Sequence, residues 1–506
     1  MTTAGSPAPM HKQGRMPTGV PGLDRVLCGG LVEHGLYLIE GGPGTGKTIL
    51  SAQIAFHLAR QGGRVVFMTL LAESHGKLIE HLRSLSFYDD RLIPGAVTLV
   101  SGYRALVEDG LDGLLAFIAE TLREQRPGML ILDGLRTVCT FTQSELSFSE
   151  FIHGLNTLIT TERCTTLLIS PLHRAAPQPE HALVDGLIEL DHHGEGMQRI
   201  RELEVHKMRA ADHMLGRHAF TITGDGVRVY PRLEAMLHDV FRPPEQKPAR
   251  LRFDIESLDA MLRGGLPEGS TTTILGAPGT GKTLLGMKFL EAGVRRGEHA
   301  LYFGFFESPA RLIAKASAVG FGLEPAVRDG RLGLVWQPPL EFQMDELAYR
   351  LLNALDETRA TRLFIDGLEG FEISSVRRER SAWFLAALST VVRMRNVTTL
   401  FSEALPLFSE SIVPNAFRLS ATVENVILLR YVEIRSAVRR LISIMKLRDS
   451  DYDSSIREFT ISPRGIEVAS TFESAEQILT GHARLRGHPP PERPGAAPAK
   501  DPPGTA

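Results

Sequence analysis

This sequence predicts an α/β protein made of two tandem domains of one kind. Each is a mostly parallel sheet flanked by helices, and disordered tails lie at both ends. Three observations point there. The chain repeats itself, short apolar runs alternate with helical stretches in each copy, and each copy holds a glycine loop at the same point of that alternation.

The repeat comes first. PTGVPGLDRVLCGGLVEHGLYLIEGGPGTGKT, from Pro17 to Thr48, returns as RFDIESLDAMLRGGLPEGSTTTILGAPGTGKT, ending at Thr283. Both copies share a Leu-Asp pair, a Gly-Gly-Leu turn, an apolar strand and a loop closing in Gly-Lys-Thr. The interval from Gly41 to Gly276 is far too long for a solenoid unit and suits a duplicated domain. This sets the expected organisation: a disordered N-terminus over 1–15, a first domain over 16–240, a linker over 241–250, a second domain over 251–480 and a Pro-rich tail over 481–506.

In each copy a strand (Leu36 to Glu40; Thr271 to Leu275) runs into the loop, and a helix starts at the Lys-Thr. A second strand follows (Val65 to Leu70; Ala300 to Phe305). Later come acid-ended strands, MLILD over Met129 to Asp133 and RLFID over Arg362 to Asp366, then TTLLIS (Thr165 to Ser170) and TTLFSE (Thr398 to Glu403). Short apolar runs with helices between them indicate parallel strands covered on both faces. The last third of each copy has strands without long helices, so an antiparallel extension is expected.

Composition narrows the function classes. Apolar residues make up 43% and charged residues 23% of 506, a globular balance, and the net charge of −3 gives no bulk positive field for nucleic acid or an anionic membrane. No run of ~18 apolar residues predicts a membrane span, and the first residues lack the apolar core of a secretory signal, so a cytoplasmic location is expected. Three cysteines without C-x-x-C spacing exclude a disulfide scaffold and read as core residues. His192, His193 and the other histidines lack metal-site spacing, so no metal beyond a nucleotide's magnesium is expected.

The chemistry is carried by two loops of the form G-x-x-x-x-G-K-[ST]: Gly41, Gly42, Pro43, Gly44, Thr45, Gly46, Lys47 and Thr48, and Gly276, Ala277, Pro278, Gly279, Thr280, Gly281, Lys282 and Thr283. Glycines let successive backbone N–H groups face phosphate oxygens at the positive end of the next helix. Lys47 and Lys282 supply cations for the β/γ oxygens, and Thr48 and Thr283 offer hydroxyls to Mg²⁺. Asp133 and Asp366 end their strands at nearly equal intervals after the lysines. There a carboxylate faces the ligand crevice of a doubly wound sheet and can hold the magnesium's water shell. ATP with Mg²⁺ is the expected ligand.

These segments, with TG-x-PG-x-D before the first loop, resemble the KaiC-like branch of the RecA superfamily over about residues 17 to 475. The resemblance implies two tandem RecA-like P-loop NTPase domains, ATP bound between neighbouring subunits, and a homohexameric double ring. It also implies a regulatory protein partner, which the sequence does not identify. In clock kinases of this branch an adjacent Glu-Glu pair follows the second strand. Here LLAES and GFFES keep only Glu73 and Glu307, with Ala72 and Phe306 at the partner places. Each glutamate reads either as the carboxylate that orients the attacking group or as a helix-start acid favoured by the dipole.

The resemblance also marks a K-x-R pair in each copy, Lys207 with Arg209 and Lys446 with Arg448, as a trans finger reaching the γ-phosphate held by the adjacent subunit. The i, i+2 spacing on a strand puts both cations on one face; the competing reading is a basic, solvated strand edge. At equal distances before the two lysines stand His181 and Ser420. Ser420 matches the serine of a Ser-Thr pair that accepts phosphate in the clock kinases, and Ala421 replaces the threonine. Phosphate there would add about −1.5 to −2 of charge; the alternative is a serine serving a local backbone group. Arg377, Arg378 and Arg380 with Arg393 and Arg395 form a basic stretch, read as a solvated helix face or a partner surface.

The leading expectation is an ATPase with serine autokinase activity in its second domain, acting as a signalling or timing ring. A nucleotide-gated scaffold with weak hydrolysis is the alternative, favoured by Ala72 and Phe306. A DNA-processing motor is a third class, opposed by the acidic net charge and the absence of a helical DNA-loading domain.

Overall fold

The computed structural model describes residues 14–70, 75–142, 144–172, 179–195, 198–237, 249–340, 342–375, 377–406, 423–434, 437–448, 450–470, 475–476 and 484–485. The chain forms two compact units. The first is Met1–Pro243 with Pro339–Leu351 and Ser374–Leu388, and the second is Pro244–Pro338 with Leu352–Ile373 and Ser389–Ala506.

In the first unit β1 (Leu36–Gly41) enters the glycine loop and α1 (Lys47–Arg60) leaves it. Strands β2 (Val65–Thr69), β3 (Val97–Ser101), β4 (Met129–Asp133) and β5 (Thr165–Pro171) follow. Between them run α2 (Tyr103–Gln125) and α3 (Glu145–Glu162). The short helix α4 (Pro179–Leu183) leads into β6 (Gly186–Glu195), β7 (Gln198–Met208), β8 (Arg217–Thr223) and β9 (Gly226–Tyr230). Among the described residues these make a nine-stranded sheet in the order β9-β8-β7-β6-β1-β5-β4-β2-β3. Strand β1 pairs parallel with both β5 and β6, and the pairing turns antiparallel from β6 to β7 onward.

The second unit repeats this plan. Strand β10 (Thr271–Gly276) enters its loop, and α5 (Lys282–Val294) leaves it for β11 (Ala300–Gly304), β12 (Leu332–Trp336), β13 (Arg362–Asp366) and β14 (Thr398–Ala404). Strands β15 (Asn425–Ile434), β16 (Ala437–Leu447), β17 (Arg457–Ser462) and β18 (Gly465–Val468) complete a sheet ordered β12-β11-β13-β14-β10-β15-β16-β17-β18. The antiparallel extension expected from the strand-rich last third is present in both units.

Burial follows from this topology. With partners on both edges and helices on the faces, every residue of β1, β2, β10 and β11 is buried. The first unit packs two apolar layers on its sheet, one through Tyr37, Phe56 and Phe67, the other through Leu36, Leu130 and Phe151. Of the cysteines read as core, Cys164 is buried and Cys139 half-buried, but Cys28 is exposed: it sits in the turn before Gly29 with a left-handed φ of 50°.

The second unit buries a full guanidinium. Arg362 opens β13 at 1% exposure, bonded to both Glu298 oxygens (2.6 and 2.8 Å) and to the carbonyls of Arg252 and Phe289. A buried charge stripped of its partner costs far more than the pair contributes. Glu298→Ala is therefore expected to lower the unfolding free energy of this unit by about 3 kcal/mol, the low end for a broken buried pair because Glu298 keeps some solvent. Urea unfolding of the full chain measures it; a loss under ~1 kcal/mol means solvent already satisfies the guanidinium.

Candidate functional site: two phosphate-binding loops

Both loops are built the same way. Gly46 (φ 103°) and Gly281 (φ 107°) cap their helices in the left-handed region, where a side chain would be strained. A Cβ at Gly46 would also lie 2.4 Å from the Ile222 Cδ1 methyl. Thr45 Oγ1 donates to the Gly42 carbonyl (2.9 Å) and Thr280 Oγ1 to that of Ala277 (2.8 Å), closing each loop. Lys47 Nζ donates to the Gly41 and Gly42 carbonyls at 2.8 and 2.9 Å; Lys282 Nζ does so to Gly276 and Ala277 at 2.7 and 3.0 Å. Burial pulls both lysines below their ordinary pKa. Asp133 opposes this at Lys47, and Glu369 then Asp366 oppose it at Lys282.

The acid-ended strands arrive where expected. Thr48 Oγ1 donates to Asp133 Oδ2 at 3.0 Å. Asp366 takes the Ser402 hydroxyl at 2.6 Å and the Tyr302 hydroxyl at 3.1 Å, and the Thr283 side chain helps to hold its pKa down. Ser402 in turn accepts the Gly367 N–H at 2.8 Å. Burial pushes the Asp366 carboxyl up, these hydrogen bonds oppose that, and nearby Glu307 adds to it. A threonine hydroxyl beside an aspartate is the hard oxygen set that magnesium prefers, so Thr48 with Asp133 and Thr283 with Asp366 fit the ion.

The K-x-R pairs lie at the ends of β7 and β16. Lys207 Nζ donates to the carbonyls of His181 and Ala182 (2.9 and 3.0 Å), and Arg209 reaches the Ala182 carbonyl at 2.8 Å and Asp185 at 3.5 Å. Lys446 Nζ donates to the Val423 carbonyl at 2.8 Å. The strands stop at Met208 and Leu447, so Arg209 and Arg448 stand in the turns just beyond, not on the strands as the spacing suggested. The shared Ala182 carbonyl still brings Lys207 and Arg209 to one side.

Glu307 binds Lys315 through Oε1, while Oε2 is buried without a hydrogen-bond partner among the described residues. Phe306, 54% exposed, lies against Gly367. Glu73, with Ala72, and Ser420, with Ala421, lie outside the described residues. Four of the five arginines of the basic stretch carry ion pairs, while Arg378 and Arg395 stay exposed. Arg377 grips Glu202 and Arg380 grips both Glu234 and Asp345 in the first unit; Arg393 meets Glu424 and Arg395 meets Asp356 in the second.

Sequence reasoning missed four polar groups here. Tyr302 and Ser402 frame Asp366, Glu369 faces Lys282, and buried Glu40 meets His181 at 3.0 Å. Aligning the two copies position by position carries the signal, since the matching residues are Phe67, Ile169, Arg136 and Leu275.

Two sheets of this order, each with a phosphate loop and a strand-end aspartate, define a tandem P-loop nucleotide-binding protein. The family described as ATPase: KaiC matches residues 16–234 and 251–473, and the chain belongs to that family. The chain is 28% identical over 485 residues to the circadian clock oscillator protein KaiC of a Picosynechococcus species, covering 92% of each chain. It is 27% identical over 494 residues to the circadian clock protein KaiC3 of a Synechocystis species, covering 92% of this chain and 94% of that one. Among the described residues no helix is long and apolar enough to cross a membrane.

Because Phe67 shows that the strand accepts a ring without the hydroxyl, Tyr302→Phe isolates the hydrogen bond to Asp366. It is expected to leave thermal stability within ~1 kcal/mol. The Mg²⁺ dependence of ATP binding at the second loop should weaken by about tenfold. Calorimetric Mg²⁺ titrations of a Lys47→Ala chain test this; an unchanged titration removes Tyr302 from the site.

Proposed function

We propose that the protein is a Mg²⁺-dependent ATPase that works as a homohexameric ring with ATP at its subunit interfaces. Its second unit is a serine autokinase acting on Ser420, and the ring signals or keeps time through a regulatory protein partner. The observation that supports this most is the pair of lysines, Lys47 and Lys282, each curled onto its own loop's carbonyls beside a threonine and an aspartate. Such a lysine is already desolvated, and a phosphate oxygen can take the place of the carbonyls it now satisfies. The loop N–H groups and helix N-terminus orient the phosphate chain, Thr48 and Thr283 present hydroxyls, and Asp133 and Asp366 stay behind them. Magnesium bound there supplies neutralisation of the β- and γ-oxygen charge.

Glu73 and Glu307 orient the attacking water or hydroxyl. Lys207 with Arg209, and Lys446 with Arg448, leave their backbone carbonyls to stabilise charge on the nucleotide held by the neighbouring copy. In the second unit the attacking group is the Ser420 hydroxyl, and the added charge at an interface is the switch. The names of the clock relatives agree with a timing role. Two observations favour a second reading, a nucleotide-gated scaffold with feeble hydrolysis: Glu307 is paired with Lys315, and Phe306 covers the backbone beside Asp366.

Incubating the protein with Mg²⁺ and γ-labelled ATP tests both. Label is expected in free phosphate and on the protein, the protein-bound part vanishing in Ser420→Ala and in Lys282→Ala. Replacing Lys207 and Arg209 together by alanine should slow first-unit turnover ~10³-fold. Label in free phosphate alone removes the autokinase, and label in neither pool leaves the scaffold.

A further inference from the structure

Strand β1 holds one carboxylate, Glu40, and it is 2% exposed. It directly precedes Gly41, and its Oε1 meets His181 Nε2 at 3.0 Å. Burial pushes its carboxyl above the usual range. His181 opposes this, while Glu180, beside His181 on α4, and Glu189, opposite Glu40 on β6, add to it; Glu189 is itself bound to His206 at 2.7 Å. The fold does not need a carboxylate here. Leu275, buried at the matching place in β10, closes the same strand contacts in the second unit. A buried acid that an apolar residue replaces elsewhere in one chain is there for something other than stability.

What it holds is α4. His181 gives its ring to Glu40 and its carbonyl to Lys207, while the next carbonyl, of Ala182, takes Lys207 and Arg209. The segment is tied a second time at the far end of β1, where Asp185 accepts the Leu36 N–H (3.0 Å) and donates its own N–H to the Leu36 carbonyl (2.8 Å). That second tie recurs in the other unit as Glu424 with Thr271. The Glu40 tie has no counterpart there, because Leu275 offers no polar side-chain atom. In the first unit an unbroken line of bonds therefore joins Lys47, Gly41, Glu40, His181 and the two cations.

We infer that Glu40 and His181 are positioning residues that fix the α4 carbonyls from which Lys207 and Arg209 are presented to the nucleotide held by the neighbouring copy. The inference rests on those cations serving ATP hydrolysis, as proposed above. Neither Glu40 nor His181 touches phosphate: one grips the strand entering the loop and the other grips the carbonyls that carry the cations. Losing the tie frees α4 at one end and misplaces the cations while the loop keeps its shape.

The test uses the full chain with Lys282→Ala, so that turnover reads the first loop, and a fluorescent ATP analogue for affinity. Glu40→Leu and His181→Leu are each expected to lower kcat about tenfold or more, with nucleotide Kd within about twofold. The double variant should be no worse than the poorer single one, because the pair acts as a unit. Glu40→Gln, whose side-chain oxygen still accepts from an imidazole N–H, should keep kcat within about threefold. An unchanged kcat in Glu40→Leu, a Kd that weakens in step with kcat, or a Gln variant as impaired as Leu overturns the positioning role alone. A Lys282→Ala parent that binds the analogue but turns over no ATP overturns the hydrolytic reading of the first unit, and the positioning role with it.

Discussion

Everything at either loop depends on the central strand being held on both edges. A phosphate loop must keep backbone N–H groups unspent for its ligand, so the few bonds that close it cannot by themselves fix where it sits. Its rigidity is borrowed from β1 and β10, each bonded along its length to a parallel strand on both sides and buried at every residue. The acid-ended strands β4 and β13 lie one strand further out and stop level with Ile39 and Ile274, which sets Asp133 beside Thr48 and Asp366 within reach of Ser402 and Tyr302. Register thus places the acid, and the loop glycines with positive φ place the lysine.

The two units spend this common frame differently. In the first, polar groups gather on the side of β1 that faces α4: Glu40, His181, Asp185, Lys207 and Arg209. In the second, they gather around Asp366 as Tyr302 and Ser402, and Leu275 stands at the place of Glu40. The duplication kept what holds phosphate and let the surroundings of each site diverge.

Much of this was legible from the amino-acid sequence. Buried parallel strands are continuous apolar runs, so MLILD and RLFID could be read as strands with their closing acids in the crevice, and the glycine loops name their own conformation. Arg209 and Arg448 were misplaced by one step, because nothing local marks where an antiparallel strand gives way to a turn. The partners of Arg377 and Arg380 were not legible, because composition reports charge and not partner; Glu202, Glu234 and Asp345 lie far from them in sequence. Glu40 passed as the last residue of an apolar strand, since a lone acid beside a loop resembles an ordinary strand end. Only its burial and the ring of His181, 141 residues on, reveal it.

The charge around the two lysines carries the comparison one step further. Lys47 has Asp133 as its acidic neighbour, and the place three residues past that aspartate is Arg136, exposed to solvent. Lys282 has both Glu369 and Asp366, with Glu307 acting on Asp366. Burial drives both Glu369 and Asp366 toward their protonated forms, which a bound divalent cation and its water shell would reverse. The second loop is thereby the more acidic of two sites with one backbone design. A phosphate chain at the second loop would meet more carboxylate charge than one at the first, because Lys282 has two acidic neighbours where Lys47 has one.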